Sequence, residues 1–337
     1  MKSYLEKLSS NYDLTFDESA DAMQLIMSGH ATPAQFGSFV TALRMKGETV
    51  DEISGMASVM RKMSLSVKNN DDLLDTCGTG GDGLGTFNIS TAAAFVSAGI
   101  GIKIAKHGNR AMSSHTGSAD VLESLGININ LTPDQVYECI KISNFGFMFA
   151  QGFHPAMKYA GPSRREIGIR TVFNILGPLT NPAGAKKQLI GVSDPQVGDL
   201  MAQSLRKLGS ESALIVHGND GLDEITVSDS SKMWILKNGD IATENFSPES
   251  LGVTIQSLSK LKVNNSEESA QMIESVLEGA NGPARDIVLL NSAAAILISG
   301  HSDNFEDAYV KAQSSIDNGL AIKTLNLVRD FSQTLND

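Results

Sequence analysis

The sequence predicts an α/β protein: a small N-terminal helical domain joined to a larger α/β domain with a mostly parallel central sheet. Three observations predict it. Helix-start signals crowd the first 65 residues with no strand pattern among them. From residue 73 onward, short apolar runs alternate with helix-length stretches, as in strands joined by crossover helices. Glycine-rich turns follow the first of those runs, where an open parallel sheet receives its ligands.

Thr15-Phe-Asp-Glu18, Thr32-Pro-Ala-Gln35 and Thr49-Val-Asp-Glu52 each fit a capping box, and Pro33 takes the favoured first helical position. The second of these helices places Phe36, Phe39, Val40 and Leu43 on one face, and the third places Ile53, Met56, Met60 and Met63. Core packing accounts for both stripes, and part of such a surface could serve as a dimer interface. Residues 64–72 (SLSVKNNDD) read as a linker. Strands are predicted at Leu73–Thr76, Ile102–Ala105, Gly146–Ala150, Gln188–Val192 and Ala213–Val216. Helices are predicted near 91–99, 117–125, 133–143 and 195–208, with Thr132-Pro133-Asp-Gln135 a further capping box. Residues 225–245 read as a β-meander. Helices return from about 267, and Gly282-Pro283 opens a strongly apolar one through Ile298. The expected division is a helical domain over 1–65, with helices from about 165–180 packing on it, and an α/β domain over 72–337.

Composition narrows the function. The 337 residues are 41% hydrophobic, and mean hydropathy is −0.06, as in ordinary soluble globular proteins. Net charge is −11, from 27 basic and 38 acidic residues, which argues against a partner that is nucleic acid or an anionic membrane. A polyanionic substrate would therefore need a local basic patch, a metal, or both. Cys77 and Cys139 are the two cysteines, giving no disulfide framework and suiting a reducing cytoplasm. The first residues (MKSYLEKLSSNYD) carry no apolar signal core. The longest apolar runs, near Ala92–Ala105 and Ile287–Ser299, are too short and interrupted to span a bilayer.

The most informative stretch is Asp75-Thr-Cys-Gly-Thr-Gly-Gly-Asp-Gly-Leu-Gly-Thr-Phe-Asn-Ile-Ser-Thr91. Glycines stand at 78, 80, 81, 83 and 85, after a strand and before an Ala-rich helix. Glycines let backbone amides approach a phosphate, and a helix N-terminus adds partial positive charge. Gly78-Thr-Gly80-Gly-Asp-Gly83 literally fits the dinucleotide fingerprint. That fingerprint expects a helix at once and an acidic residue about 20 positions on. Here Leu84–Ile89 intervene, and no Asp or Glu occurs between Asp82 and Asp120. No G-x-x-x-x-G-K-[ST] occurs, which excludes a P-loop. A plain connector would not bear the entropic cost of so many glycines. Asn88, Ser90 and Thr91 add donors near the helix start, although Ser90 or Thr91 alone would be an ordinary N-cap.

A second cluster lies one βα unit later: Lys106-His-Gly-Asn-Arg-Ala-Met-Ser-Ser114, then Gly117-Ser118-Ala-Asp120. Lys106 and Arg110 bring positive charge, and Ser113, Ser114 and Ser118 bring hydroxyls. His107 fits either a substrate contact or a neutral core imidazole. A third cluster, His217-Gly-Asn-Asp-Gly-Leu-Asp223-Glu224, would be exposed turn charge in isolation. Beside a polyanion site its carboxylates become magnesium ligands, sharing the ion with phosphate oxygens and water. Neither zinc spacing nor a nucleophile grouping is present.

Together these clusters resemble the anthranilate phosphoribosyltransferase family. DTCGTGGDGLGTFNIST, KHGNRAMSSHTGSADVLESLG, FHPAMKYAGPSRREIGIRTVFNILGPLTNPA, HGNDGLDE and GPARDIVLLNSAAA carry the resemblance, in the family's order from about residue 75 to 295. The combination is specific where any one segment is not. The resemblance implies a nucleoside phosphorylase/phosphoribosyltransferase-like fold. It also implies transfer of phosphoribose from 5-phosphoribosyl diphosphate to anthranilate in tryptophan biosynthesis, two magnesium ions per subunit, and a homodimer through the helical domain. Gly78, Gly81 and Asp82 fall on the family's glycine-loop contacts. Thr86, Asn88, Ile89, Ser90 and Thr91 fall on its ribosyl diphosphate contacts. Lys106, His107, Gly108, Asn109, Arg110, Ala111, Met112, Ser113, Ser114 and Ser118 continue that site. Gly78, Asn109 and Arg164 match anthranilate contacts, and Ser90, Asp223 and Glu224 match metal ligands. Gln151 stands where proline is common, Ser163 where valine is, and Ala111-Met112 and His115 replace small or basic residues. A pyrimidine nucleoside phosphorylase shares the architecture but would need a nucleobase site and phosphate chemistry. A single-strand nucleic-acid binder would need a basic groove with interleaved aromatics. Asp82 stays unexplained by sequence, since a carboxylate in an anion-binding loop should repel its ligand.

Overall fold

The structure, a computed structural model, describes residues 1–111 and 116–335. Four helices form the N-terminal bundle: α1 (Lys2–Ser9), α2 (Phe16–Met27), α3 (Pro33–Lys46) and α4 (Val50–Met63). Thr15, Thr32 and Thr49 accept from the amides of Glu18, Gln35 and Glu52, whose side chains bond back, so all three capping boxes form. α1 has no side-chain cap and left no start signal in the sequence. Phe36, Phe39, Val40 and Leu43 are buried with Ile53, Met56 and Met60, as the two stripes predict.

Seven strands make one sheet: β1 (Leu74–Gly78), β2 (Ile104–Gly108), β3 (Phe145–Phe149), β4 (Lys187–Gly191), β5 (Ser212–Gly218), β6 (Ser231–Lys237) and β7 (Asp240–Phe246). Their order is β3-β2-β1-β4-β5-β6-β7, with β1 to β5 parallel and the last two antiparallel. The chain winds from β1 outward to β3, then returns to lay β4 on the other side of β1. The reversal leaves a crevice between β1 and β4 at the carboxyl ends of the strands.

Two expectations need correction. The strands run past the predicted ends, because Cys77 and Gly78 pair with Ile190 and Gly191, and Lys106 to Gly108 pair with Phe147 to Phe149. The 225–245 meander is a hairpin that starts only at Ser231. The amide of Ile225 instead donates to Asn291 Oδ1 at 2.9 Å, and that of Thr226 to Ser231 Oγ at 3.1 Å, so side chains take the place of a ladder.

The remaining helices are α5 (Ile89–Gly99), α6 (Ser118–Ser124), α7 (Pro133–Ser143), α8 (Ala150–Phe153), α9 (Gly161–Ile167), α10 (Phe173–Leu176), α11 (Gln196–Lys207), α12 (Ser266–Leu277), α13 (Pro283–Ser299), α14 (Phe305–Asp317) and α15 (Leu320–Gln333). One face of the sheet is buried under α5 and α13, where Phe95 stacks on Phe145 at 4.5 Å. The other face shares its core with α11, α10 and the bundle, and Phe173 meets Phe36 at 5.6 Å between ring centres. Among the described residues, no helix is long and apolar enough to cross a membrane.

Candidate active site

β1 ends at Gly78, and the glycine loop fills 79–88. Gly80, Gly81, Gly83 and Gly85 have φ of +61°, +79°, +72° and +69°, a region that side chains disfavour. Gly78 is favoured by tight space instead. A Cβ there would lie 3.0 Å from Asp223 Oδ2 and 3.2 Å from the Gly191 carbonyl. The far arm of the loop is braced by a Thr86–Lys262 bridge, with the Phe87 amide donating to the Leu261 carbonyl at 2.9 Å. Asn88 then opens α5 without capping it. Its Oδ1 accepts from Thr116 Oγ1 and Ser269 Oγ, both at 2.8 Å, so it clamps three segments together. Ile89 and Thr91 face the core, and Ser90 is the position at this helix start whose side chain reaches the charged groups.

Alternation along β2 sends Lys106 and His107 to opposite faces. The Lys106 ammonium is 1% exposed. It donates to the Thr76 carbonyl, and its Nζ lies 3.3 Å from Thr76 Oγ1 and 3.4 Å from Ser90 Oγ. Burial pushes its pKa down, while Asp75 and Glu224 pull the other way. Asp75, itself buried, accepts from the His107 amide at 3.1 Å and from Asn181 Nδ2 at 2.8 Å, which locks β1 to β2 beneath the site. His107 lies 5.1 Å from His154, ring centre to ring centre. Burial, reinforced by His154, pushes His107 down to about 3, and burial pushes His154 down to about 4. Both rings are therefore neutral near pH 7. Of the two readings of His107, this placement matches the core imidazole.

Asp223 and Glu224 follow β5 and reach across to β1. Asp223 Oδ2 accepts from the Gly80 amide at 2.9 Å, and Glu224 Oε1 from the Ser90 amide at 3.1 Å. Burial and the adjacent Asp82 carboxyl push Asp223 up to about 7. Burial and Asp223 push Glu224 well above the usual carboxylate range. Asp82 also accepts from the Leu84 amide at 3.1 Å, which closes a tight turn. Its carboxyl thus belongs to the acidic group rather than to the anion-binding amides. Crowded carboxyls whose charge the fold resists are what a divalent cation relieves. Among the described residues no three His, Cys, Asp or Glu side chains form a closed cage. That donor set fits magnesium, which takes a few carboxylates and completes its shell from phosphate and water.

The second loop forms a separate group. Gly108 must be glycine, since a Cβ would lie 2.0 Å from Ser118 Oγ and 2.8 Å from the Phe147 ring. The Asn109 carbonyl accepts from Ser118 Oγ at 3.4 Å. Asp120 orders the loop by accepting from the amides of Ala111 and Gly117, both at 3.0 Å. Arg110 is held by Asp120 and Glu123 and covers Phe149 at 5.5 Å, so much of its charge is balanced locally. Met112, Ser113, Ser114 and His115 lie outside the described residues. Arg164 sits on α9, which packs against α3, with its guanidinium 5.0 Å over the Phe173 ring. Gln151 is exposed on α8, and Ser163 is buried on α9.

The structure therefore gathers Gly78, Asp82, Ser90, Lys106, Asp223 and Glu224 in one crevice. Asn88 ties the start of α5 to Thr116, two residues before Ser118, and Arg164 stands on the bundle side. Sequence reasoning missed the organisers Asp75, Asn181 and Asp120, and also Arg170, whose Nη1 donates to the Gly80 carbonyl at 2.7 Å. Asp75 and Asp120 lie within the clusters singled out, but their partners are remote or unmarked in sequence.

Residues 2–64 match the glycosyl transferase family, helical bundle domain, and residues 70–322 match the glycosyl transferase family, a/b domain. The anthranilate phosphoribosyltransferase of Moorella thermoacetica is 50% identical over 96% of this chain and 96% of its own length. The solved anthranilate phosphoribosyltransferase of Thermus thermophilus superposes with a TM-score of 0.93 at 37% identity, covering 98% of this chain and 99% of that one. The Saccharomyces cerevisiae enzyme of the same name, solved in complex with PRPP (5-phosphoribosyl diphosphate) and Mg, superposes with a TM-score of 0.91 at 30% identity. It covers 99% of this chain and 98% of that one.

Proposed function

The chain belongs to the anthranilate phosphoribosyltransferase family, and on that premise we propose that it moves the 5-phosphoribosyl group from 5-phosphoribosyl diphosphate to the amine of anthranilate. Diphosphate is released, in a step of tryptophan biosynthesis. The observation that carries this reading is the meeting of the glycine loop, Lys106 and the Asp223-Glu224 pair in one crevice at the carboxyl ends of β1 and β4.

The bond from ribose C1 to the diphosphate oxygen breaks, and the electron pair leaves with diphosphate. The amine lone pair forms the new C1–N bond, and the nitrogen then sheds a proton to water. An aryl amine is unprotonated at neutral pH, so no side chain is assigned as general base. Lys106 and the loop amides stabilise charge as it builds on the leaving group. Asp223, Glu224 and Ser90 would hold two magnesium ions, which when bound neutralise diphosphate charge. Asp82, beside Asp223, contributes to the same negative field. The Arg164 guanidinium suits a bidentate pair with the anthranilate carboxylate, with Asn109 and Gly78 completing that subsite. Holding the amine in line with C1 supplies the proximity term. Ser113 and Ser114, with the loop from Lys106 to Ser118, extend the diphosphate side.

The reading divides the chain at the 64–72 linker. Residues 1–65, with the 165–180 segment against them, form the helical domain, and 72–337 form the domain that binds 5-phosphoribosyl diphosphate and also supplies Gly78, Asn109 and Arg164 to the acceptor. A second copy is expected to dock on the bundle, where Tyr12 and Met45 are 65% and 84% exposed. A monomer at micromolar concentration in sedimentation would contradict the homodimer. The reaction belongs in the cytoplasm and requires neither nucleic acid nor membrane. Phosphorus NMR tests the chemistry: diphosphate and a phosphoribosyl amine should appear together. Phosphorolysis of thymidine in their place would favour the nucleoside phosphorylase reading.

A further inference from the structure

We propose that Arg170 is a positioning residue that holds the glycine loop ready for 5-phosphoribosyl diphosphate and ties it to the helical bundle. The inference rests on the reaction proposed above, but its geometry does not. Gly80 is fixed at both ends of its residue. Its amide donates to Asp223 Oδ2 at 2.9 Å, and its carbonyl accepts from Arg170 Nη1 at 2.7 Å and Ser193 Oγ at 3.0 Å. The Arg170 carbonyl in turn accepts from Arg44 Nη1, on the last turn of α3. A continuous path thus runs from the bundle, through Arg170, to the loop and the metal-side carboxylate.

The path matters because of what lies beyond Gly80. Gly81, Gly83 and Gly85 have little intrinsic preference for one conformation, so an unanchored loop samples many. Ligand affinity falls by the fraction of molecules holding the competent conformation. A hydrogen bond from a charged donor is enough to change that fraction about tenfold, or about 1.4 kcal/mol. Arg170 sits between α9 and α10 on the bundle side, so bundle movement that shifts Arg44 reaches the loop without touching substrate.

The test uses R170M, R170K, R44M and S193A in the full chain. In ligand-free protein, hydrogen exchange of a peptide covering 79–88 should quicken about tenfold in R170M, and less in R44M and S193A. R170K, which keeps the charge and can still donate to the Gly80 carbonyl, should recover part of the protection. In steady state, R170M should raise the KM for 5-phosphoribosyl diphosphate about tenfold and leave the anthranilate KM within about twofold. Unchanged exchange at 79–88 would overturn the proposal, as would equal rises in both KM values or no recovery by R170K. Exchange needs no substrate, so a wild-type protein inactive on anthranilate would refute the reaction while the loop test still stands.

Discussion

Replacing Asp223 with Asn should strengthen the ligand-free fold while disabling the reaction. The Asp223 carboxyl is pushed from an ordinary 3.8 up to about 7 by burial and by Asp82. A folded value above the unfolded one means that the fold keeps the proton more tightly. The stability this group adds is therefore fully present below about 4 and is lost as pH rises through about 7. Each pH unit of separation is worth about 1.4 kcal/mol, giving an upper bound of about 4 kcal/mol. Asp223 keeps some contact with solvent and shares its charge with two neighbouring carboxyls, so about 1–3 kcal/mol is expected. Asn retains an oxygen for the Gly80 amide and a donor for Asp82, without the charge. Urea unfolding in EDTA at pH 5 and pH 8 measures the effect. D223N should be the more stable protein, with an advantage that grows by about 1–2 kcal/mol between those pH values. Anthranilate consumption with magnesium should fall about 100-fold. A variant less stable than wild type at pH 8, or an advantage independent of pH, would refute the carboxyl crowding.

R164A should raise the anthranilate KM about ten- to hundredfold and barely move that of 5-phosphoribosyl diphosphate, by steady-state kinetics; equal effects would remove Arg164 from the acceptor site. G108A should lower stability by about 1–3 kcal/mol, because its methyl would meet Ser118 and the Phe147 ring; an unchanged melting temperature would refute that packing. His107 and His154 are depressed to about 3 and about 4. Their stabilisation is therefore complete above about 6.5 and is lost as pH falls towards 4, and H107Q should flatten that acid limb in denaturant unfolding.

The parts legible in sequence were those set by local chemistry. Three Thr-x-x-Glu/Gln motifs became three formed capping boxes, and the glycine-rich loop proved to need φ > 0 at Gly80, Gly81, Gly83 and Gly85. Helices of clear period, such as 133–143, fell where the pattern put them. Features set by distant partners were not legible. Cys77, Gly78 and Lys106 to Gly108 look like loop residues, and only the neighbouring strands make them strand. Residues 225–230 carry strand-like side chains, but Asn291 and Ser231 take their amides. Asp82 made sense only once Asp223 stood beside it, and Asp75 only once Asn181 did. Arg110 carries ion pairs to Asp120 and Glu123 that its own segment does not announce.

Anthranilate fluorescence, followed with and without 5-phosphoribosyl diphosphate and magnesium, tests the magnesium–diphosphate site most directly. Consumption is expected only when all three are present, with one diphosphate released per anthranilate and complete arrest by EDTA. Consumption that persists in EDTA, or none with all three present, would contradict the assignment.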